Sequence, residues 1–70
     1  MATICSEVSG SVWKIETPVG TSVAPGEVLM IIESMKMEIP VESPSAGIVR
    51  EIKVAPGEVI REGQALLVLG

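Results

Sequence analysis

Seventy residues carry nine acidic side chains, all glutamate, against three lysines and two arginines, for a formal net charge of −4. That balance argues against binding to nucleic acid or anionic lipid, and a chain this short buries only about 60% of its unfolded surface, so its core must be efficient. Cys5 is the only cysteine and there is no histidine, which excludes an internal disulfide, fits a reducing compartment, and leaves zinc or catalytic-triad chemistry almost nothing to build on.

The chain reads as all-β. Seven glycines and five prolines are spaced so that no segment could hold a long helix. In chain order, segments rich in Val and Ile predict strands near 2–7 and 11–16, a very short one around Val23, then 28–33, 38–43 and 47–53, a second short one around Ile60, and 65–69. In the second strand Val12, Lys14 and Glu16 alternate with Ser11, Trp13 and Ile15, and the pattern does not say which face points inward. In the fifth, Ile39 and Val41 alternate clearly with Glu38 and Glu42. The longest aliphatic runs, Val28–Ile32 and Ala65–Leu69, are five residues each, against about 20 for a spanning helix. No basic-then-apolar start resembles a signal peptide, and the expected location is cytoplasmic.

These elements form two copies of one unit. Shifted by 37 residues, the sequence overlays on itself without a gap: Gly10 on Gly47, Val12 on Val49, Ile15 on Ile52, Gly20 on Gly57, Gly26 on Gly63 and Leu29 on Leu66. The three glycines of each copy are spaced 10 and then 6 residues apart, and matched glycines predict matched turns with φ > 0. The identical tetrapeptides Ala24–Glu27 and Ala55–Glu58 lie 31 residues apart, a register in which the other glycines do not match. Their identity is a reuse of good turn residues. A unit of about 33 residues cannot bury its apolar face alone, so the two copies should face each other across a pseudo-two-fold axis, as a flattened barrel or two-sheet sandwich filling residues 1–70.

Between the copies lie Ser34-Met35-Lys36-Met37. The two-fold places the termini at one end and a Met35-Lys36 hairpin turn at the other. A two-residue hairpin prefers Asn-Gly or Asp-Gly, because both central residues need φ > 0. Met-Lys should cost stability there, and such conflicts are expected at functional positions. Lys14 and Lys53 match Glu51 and Glu16 in the repeat and read as surface strand residues. Trp13 reads as cover for one end of a sheet, and Cys5 as an inert, half-buried thiol with no cationic neighbour.

Glu33-Ser34-Met35-Lys36-Met37 resembles the attachment motif of biotinyl domains, usually written E-A-M-K-M, and the resemblance extends over the whole chain. It implies a flattened barrel of two four-stranded antiparallel sheets with quasi-two-fold symmetry. It also implies that Lys36 carries biotin in amide linkage, flanked by Met35 and Met37, and that Glu33 contributes to recognition by a biotin protein ligase. The implied function is that of a non-catalytic carrier, which shuttles CO₂ between a biotin carboxylase and a carboxyltransferase. Ser34 stands where the family commonly has Ala, and no protruding insertion lies between Gly10 and Val28. A stand-alone attachment protein or a terminal domain of a larger carboxylase fits this pattern. A lipoyl carrier shares the expected fold and lysine position, but generally has Asp before the lysine and a small residue after it. An unmodified module used only for protein contacts is the remaining alternative.

Overall fold

The computed structural model describes residues 1–70 and is all-β. Its strands are β1 (Ala2–Cys5), β2 (Gly10–Ile15), β3 (Ser22–Val23), β4 (Val28–Ser34), β5 (Met37–Glu42), β6 (Gly47–Ile52), β7 (Val59–Ile60) and β8 (Ala65–Leu69). They form two four-stranded antiparallel sheets, ordered β1-β8-β6-β3 and β5-β4-β2-β7. Adding 37 to a residue number carries β2 onto β6 and β3 onto β7, so the pseudo-two-fold exchanges the two sheets. Each sheet takes two strands from each copy. Neither copy can complete a sheet without the other.

The same relation holds bond by bond. Gly20 N–H donates to the Val49 carbonyl (2.8 Å), and Gly57 N–H to that of Val12 (2.6 Å). Gly26 N–H donates to the Ser43 carbonyl, and Gly63 N–H to that of Ser6, both at 2.7 Å. In every case a turn of one copy is tied to the other copy. These four glycines have φ of 97°, 88°, 84° and 85° respectively, as the repeat predicts. Each stands third in a turn closed by a backbone bond from the fourth residue to the first, the type II arrangement that needs glycine there. The Ala24–Glu27 and Ala55–Glu58 turns are locally alike, with Glu27 and Glu58 Oε1 each accepting the N–H of the first residue at 3.1 Å. They occupy different places under the two-fold, which confirms the 37-residue register.

Gly10 and Gly47 correct the sequence reading. They open β2 and β6 rather than form turns, and neither has positive φ. Their smallness serves a close approach of backbones. A Cβ on Gly10 would collide with the Glu33 carbonyl oxygen, and one on Gly47 would lie 3.0 Å from that of Gly70.

The core is one cluster of twelve buried residues, centred on Val12, Leu29, Met30, Ile32 and their repeat equivalents Val49, Leu66, Leu67 and Leu69. Leu29–Met30 and Leu66–Leu67 are adjacent pairs buried on both members, which strict alternation forbids. Register shifts at Leu29 and Leu66 account for it: each is the extra residue of a bulge against β5 or β1. A second pair of bulges falls at Trp13 and Arg50. That explains why the alternation in β2 was ambiguous. Trp13 and Lys14 are both exposed, while Val12 is buried. Trp13 is therefore a half-exposed bulge residue. Cys5 is exposed, not half-buried. β1 stops at Cys5, two residues earlier than expected, because the buried Ser6 hydroxyl donates to the Val8 carbonyl (2.6 Å) and turns the chain.

The molecule measures 30 × 18 × 18 Å. Ala2 pairs with Leu69, and Gly70 exchanges backbone bonds with Ile48, so the termini lie together. The β4–β5 hairpin packs on Ser9 and Gly10, where β2 begins. β2 then carries the chain ~20 Å away from the hairpin, toward the turn that bonds Val49 near the termini.

Candidate functional site

β4 and β5 pair from Val28↔Glu42 to Ser34↔Met37, leaving Met35 and Lys36 as the two-residue turn. Their φ values are 52° and 64°, and no other non-glycine residue in the chain has positive φ. The left-handed region costs an L-residue ~1–2 kcal/mol, so the surrounding pairing must impose this turn on a sequence that resists it. Two further features hold the hairpin. The Ser34 hydroxyl donates to the Ser9 carbonyl at 2.7 Å, and Ser9 Oγ in turn accepts from Glu62 N–H at 3.2 Å. The missing Cβ of Gly10 lets the Glu33 carbonyl sit directly against β2. The hairpin is thus braced against the β1–β2 loop and, through it, the last turn of the second copy.

The tip is fully presented. Met35 is 92% and Met37 64% exposed, and Lys36 is exposed between them. Lys14 pairs with Glu16 at 3.3 Å and Lys53 with Glu51 at 3.4 Å. Lys36 is the one lysine with no carboxylate within 4.0 Å. The two ion pairs are repeat equivalents with the charges exchanged, as the Lys14/Glu51 and Lys53/Glu16 matches imply. Exposed pairs of this kind contribute ~0–1 kcal/mol.

Glu33 is not at the tip. It lies one residue pair below Ser34, directly opposite Glu38 and beside Ser11. Antiparallel partners share a face, so the outer side of the hairpin base presents two exposed carboxylates together. Like charges directly opposed are destabilising in a sheet. The sequence places Glu33 and Glu38 on either side of the hairpin, as the pairing shows, and names only Glu33 for ligase recognition; it does not reveal Ser34's bond to Ser9 or the role of Gly10. Both rest on contacts between residues far apart in the chain, Ser34 with Ser9 and Gly10 with Glu33. No group of three or more Cys and Glu side chains is placed to hold a metal ion. What the arrangement offers chemically is a primary amine without a counter-ion, held out on a rigid support and flanked by two flexible thioethers.

The chain is similar in sequence and in fold to known proteins. Over 67 residues the chain is 39% identical to the biotin/lipoyl attachment protein of Bacillus subtilis (strain 168), covering 96% of this chain and 92% of that protein. It is 41% identical over 64 residues to the biotinylated protein TB7.3 homolog of Mycobacterium leprae (strain TN), covering 91% and 90%. Among solved structures, the crystal structure of the Kluyveromyces lactis urea carboxylase superposes with a TM-score of 0.94 at 32% identity, over 99% of this chain and 6% of that one. Residues 1–69 match the Biotin_lipoyl family, described as biotin-requiring enzyme, and the chain belongs to that family.

Proposed function

We propose that residues 1–70 are a biotinyl domain, that Lys36 is the residue that carries biotin, and that the protein is a non-catalytic carboxyl carrier. The observation that carries this reading is the turn itself: the only strained non-glycine residues are Met35 and Lys36, and they raise the only lysine without an ion-pair partner. The residues fit the group. Formation of an amide between Lys36 Nζ and the biotin carboxyl needs an accessible amine, and exposure of the tip supplies it. Once attached, biotin supplies a ureido nitrogen able to carry CO₂. The chain supplies a fixed base for a long tether, which replaces free diffusion with an effective concentration at the partner sites. Two relatives are whole proteins of similar length, one of them named as biotinylated. Others are carboxylases of which this chain spans a small part, such as the pyruvate carboxylase of Bacillus subtilis at 6% of its length. On that basis the partners are a biotin protein ligase, a biotin carboxylase and a carboxyltransferase, with Glu33 and Glu38 on the face offered to the ligase.

Methionine on both sides of the lysine favours biotin over lipoate. The test is intact mass after co-expression with a biotin ligase. Lys36→Ala should abolish the biotin increment, while Lys14→Ala and Lys53→Ala retain it. Biotin on Lys14 or Lys53 would overturn the assignment. A lipoyl increment on protein taken from cells would identify the other carrier class.

A further inference from the structure

β1 and β5 end their respective sheets, and a groove of about 470 Å³ lies between them. This is within the ~300–1,000 Å³ typical of small-ligand sites. Ile32 and Ile39, which pair across β4–β5, line it on one side. Val8, next to Ser34's partner Ser9 in the β1–β2 loop, lines it from the other, as do Ile4 and Cys5. The groove therefore starts close beneath the hairpin. Side chains at Met37, Ile39 and Val41 share one face of β5. Met37 is largely exposed and the other two are half-buried, so an apolar track descends from the tip into the groove.

We propose that this groove is a resting site for the bicyclic ring of biotin carried on Lys36, the arm folding back along Met37. The inference rests on the Lys36 reading. The reach is sufficient. Ile39 is three residues from Lys36, ~10 Å along a strand, while a lysine stem with a five-carbon acyl extension has about ten bonds and spans on the order of 12 Å. The chemistry is also suited. The thiolane side of the ring is apolar, as are Ile32, Ile39 and Val8. The ureido group has N–H donors, and β5 offers an acceptor. Pro40 lies opposite Ile31 and, lacking N–H, must occupy a pair without ladder bonds, which turns its carbonyl toward the open edge. Glu7 and Glu42 also border the groove and favour a neutral ring there over an anionic one.

Cys5 provides the probe. Protein treated with biotin ligase is first weighed, and absence of a Lys36 increment would overturn the carrier reading and this inference with it. Iodoacetamide alkylation of Cys5 is then timed in biotinylated protein, in unmodified protein, and in Lys36→Gln, which removes the charge without adding a ring. Biotinylated protein alone should react about threefold or more slowly, the protection given by a ring that occupies the groove at least ~two-thirds of the time. Its amide resonances should shift at Val8, Ile39 and Val41 as well as at the turn. Ile39→Trp, which fills the groove, should accept biotin yet lose the protection, and Val8→Glu serves if that variant does not fold. Equal alkylation of modified and unmodified protein, with shifts confined to residues 34–37, would overturn the groove site and leave the assignment of Lys36 standing.

Discussion

Met35 and Lys36 are held in a conformation that glycine adopts without penalty. Relieving one of them tests whether the strain is real. Met35→Gly should stabilise the domain by about 0.5–1 kcal/mol, seen as a rise of a few degrees in Tm. An unchanged or lowered Tm would show that the turn is not strained. The lysine's exact station matters separately from its exposure. Successive residues of a hairpin point to opposite faces, so a one-residue move redirects the amine. The double change Met35→Lys with Lys36→Met should lose nearly all modification, read by streptavidin capture after timed reaction with ligase. Labelling at the native rate would mean that the ligase reads local sequence rather than the presented turn. The lysine amine is the nucleophile and the methionines take no part in forming the amide, so leucine at Met35 or Met37, which keeps the apolar surface but not the thioether's flexibility, should leave biotinylation largely intact.

At the scale of the elements, the duplicated pattern made most of the fold legible. All eight strands lie where the Val- and Ile-rich segments put them, and the glycine turns recur with matched φ because matched sequence in matched surroundings has one low-energy answer. The misreadings share a cause. Gly10 and Gly47 read as turn residues in the sequence because it shows that a position needs glycine but not whether φ or a neighbouring backbone demands it. Trp13 could not be oriented because a bulge resets the two-residue period that orientation is read from. Ser34's hydroxyl and the β1–β5 groove depend on contacts between elements distant in the chain. A glycine series separates the two reasons for glycine. Alanine at Gly20 or Gly57 meets no atom within 4 Å and should cost about 1 kcal/mol, from backbone conformation alone. Alanine at Gly10 must push the Glu33 carbonyl away from β2. It should cost more, about 2 kcal/mol or above, and should also slow biotinylation by loosening the hairpin's brace. Equal losses at Gly10 and Gly20 in denaturant titrations would refute the close-approach explanation.

For the whole molecule, the decisive property is that the copies are interleaved. Each sheet draws two strands from each copy and the inter-copy turn bonds run in both directions, so unfolding should be a single cooperative transition. With Cys5 the sole cysteine, reductant should not shift it. Peptides 1–33 and 38–70 should each lack sheet structure by circular dichroism, and mixing them should restore it. A folded isolated half would contradict the interleaving. The placing of the ends has a different consequence. Because Ala2 and Leu69 are paired neighbours, remote from Lys36, the fold is closed on itself in all but one covalent link. Its order along the chain is then a convention of where the polypeptide happens to be cut. A short linker from Gly70 to Met1, with new ends opened in the exposed turn at Pro56–Gly57, should give a rewired protein that still accepts biotin on the same lysine. By the same geometry, a module of this kind can be hung from a host by either end, or spliced into a host's surface loop, without turning its reactive tip toward the host.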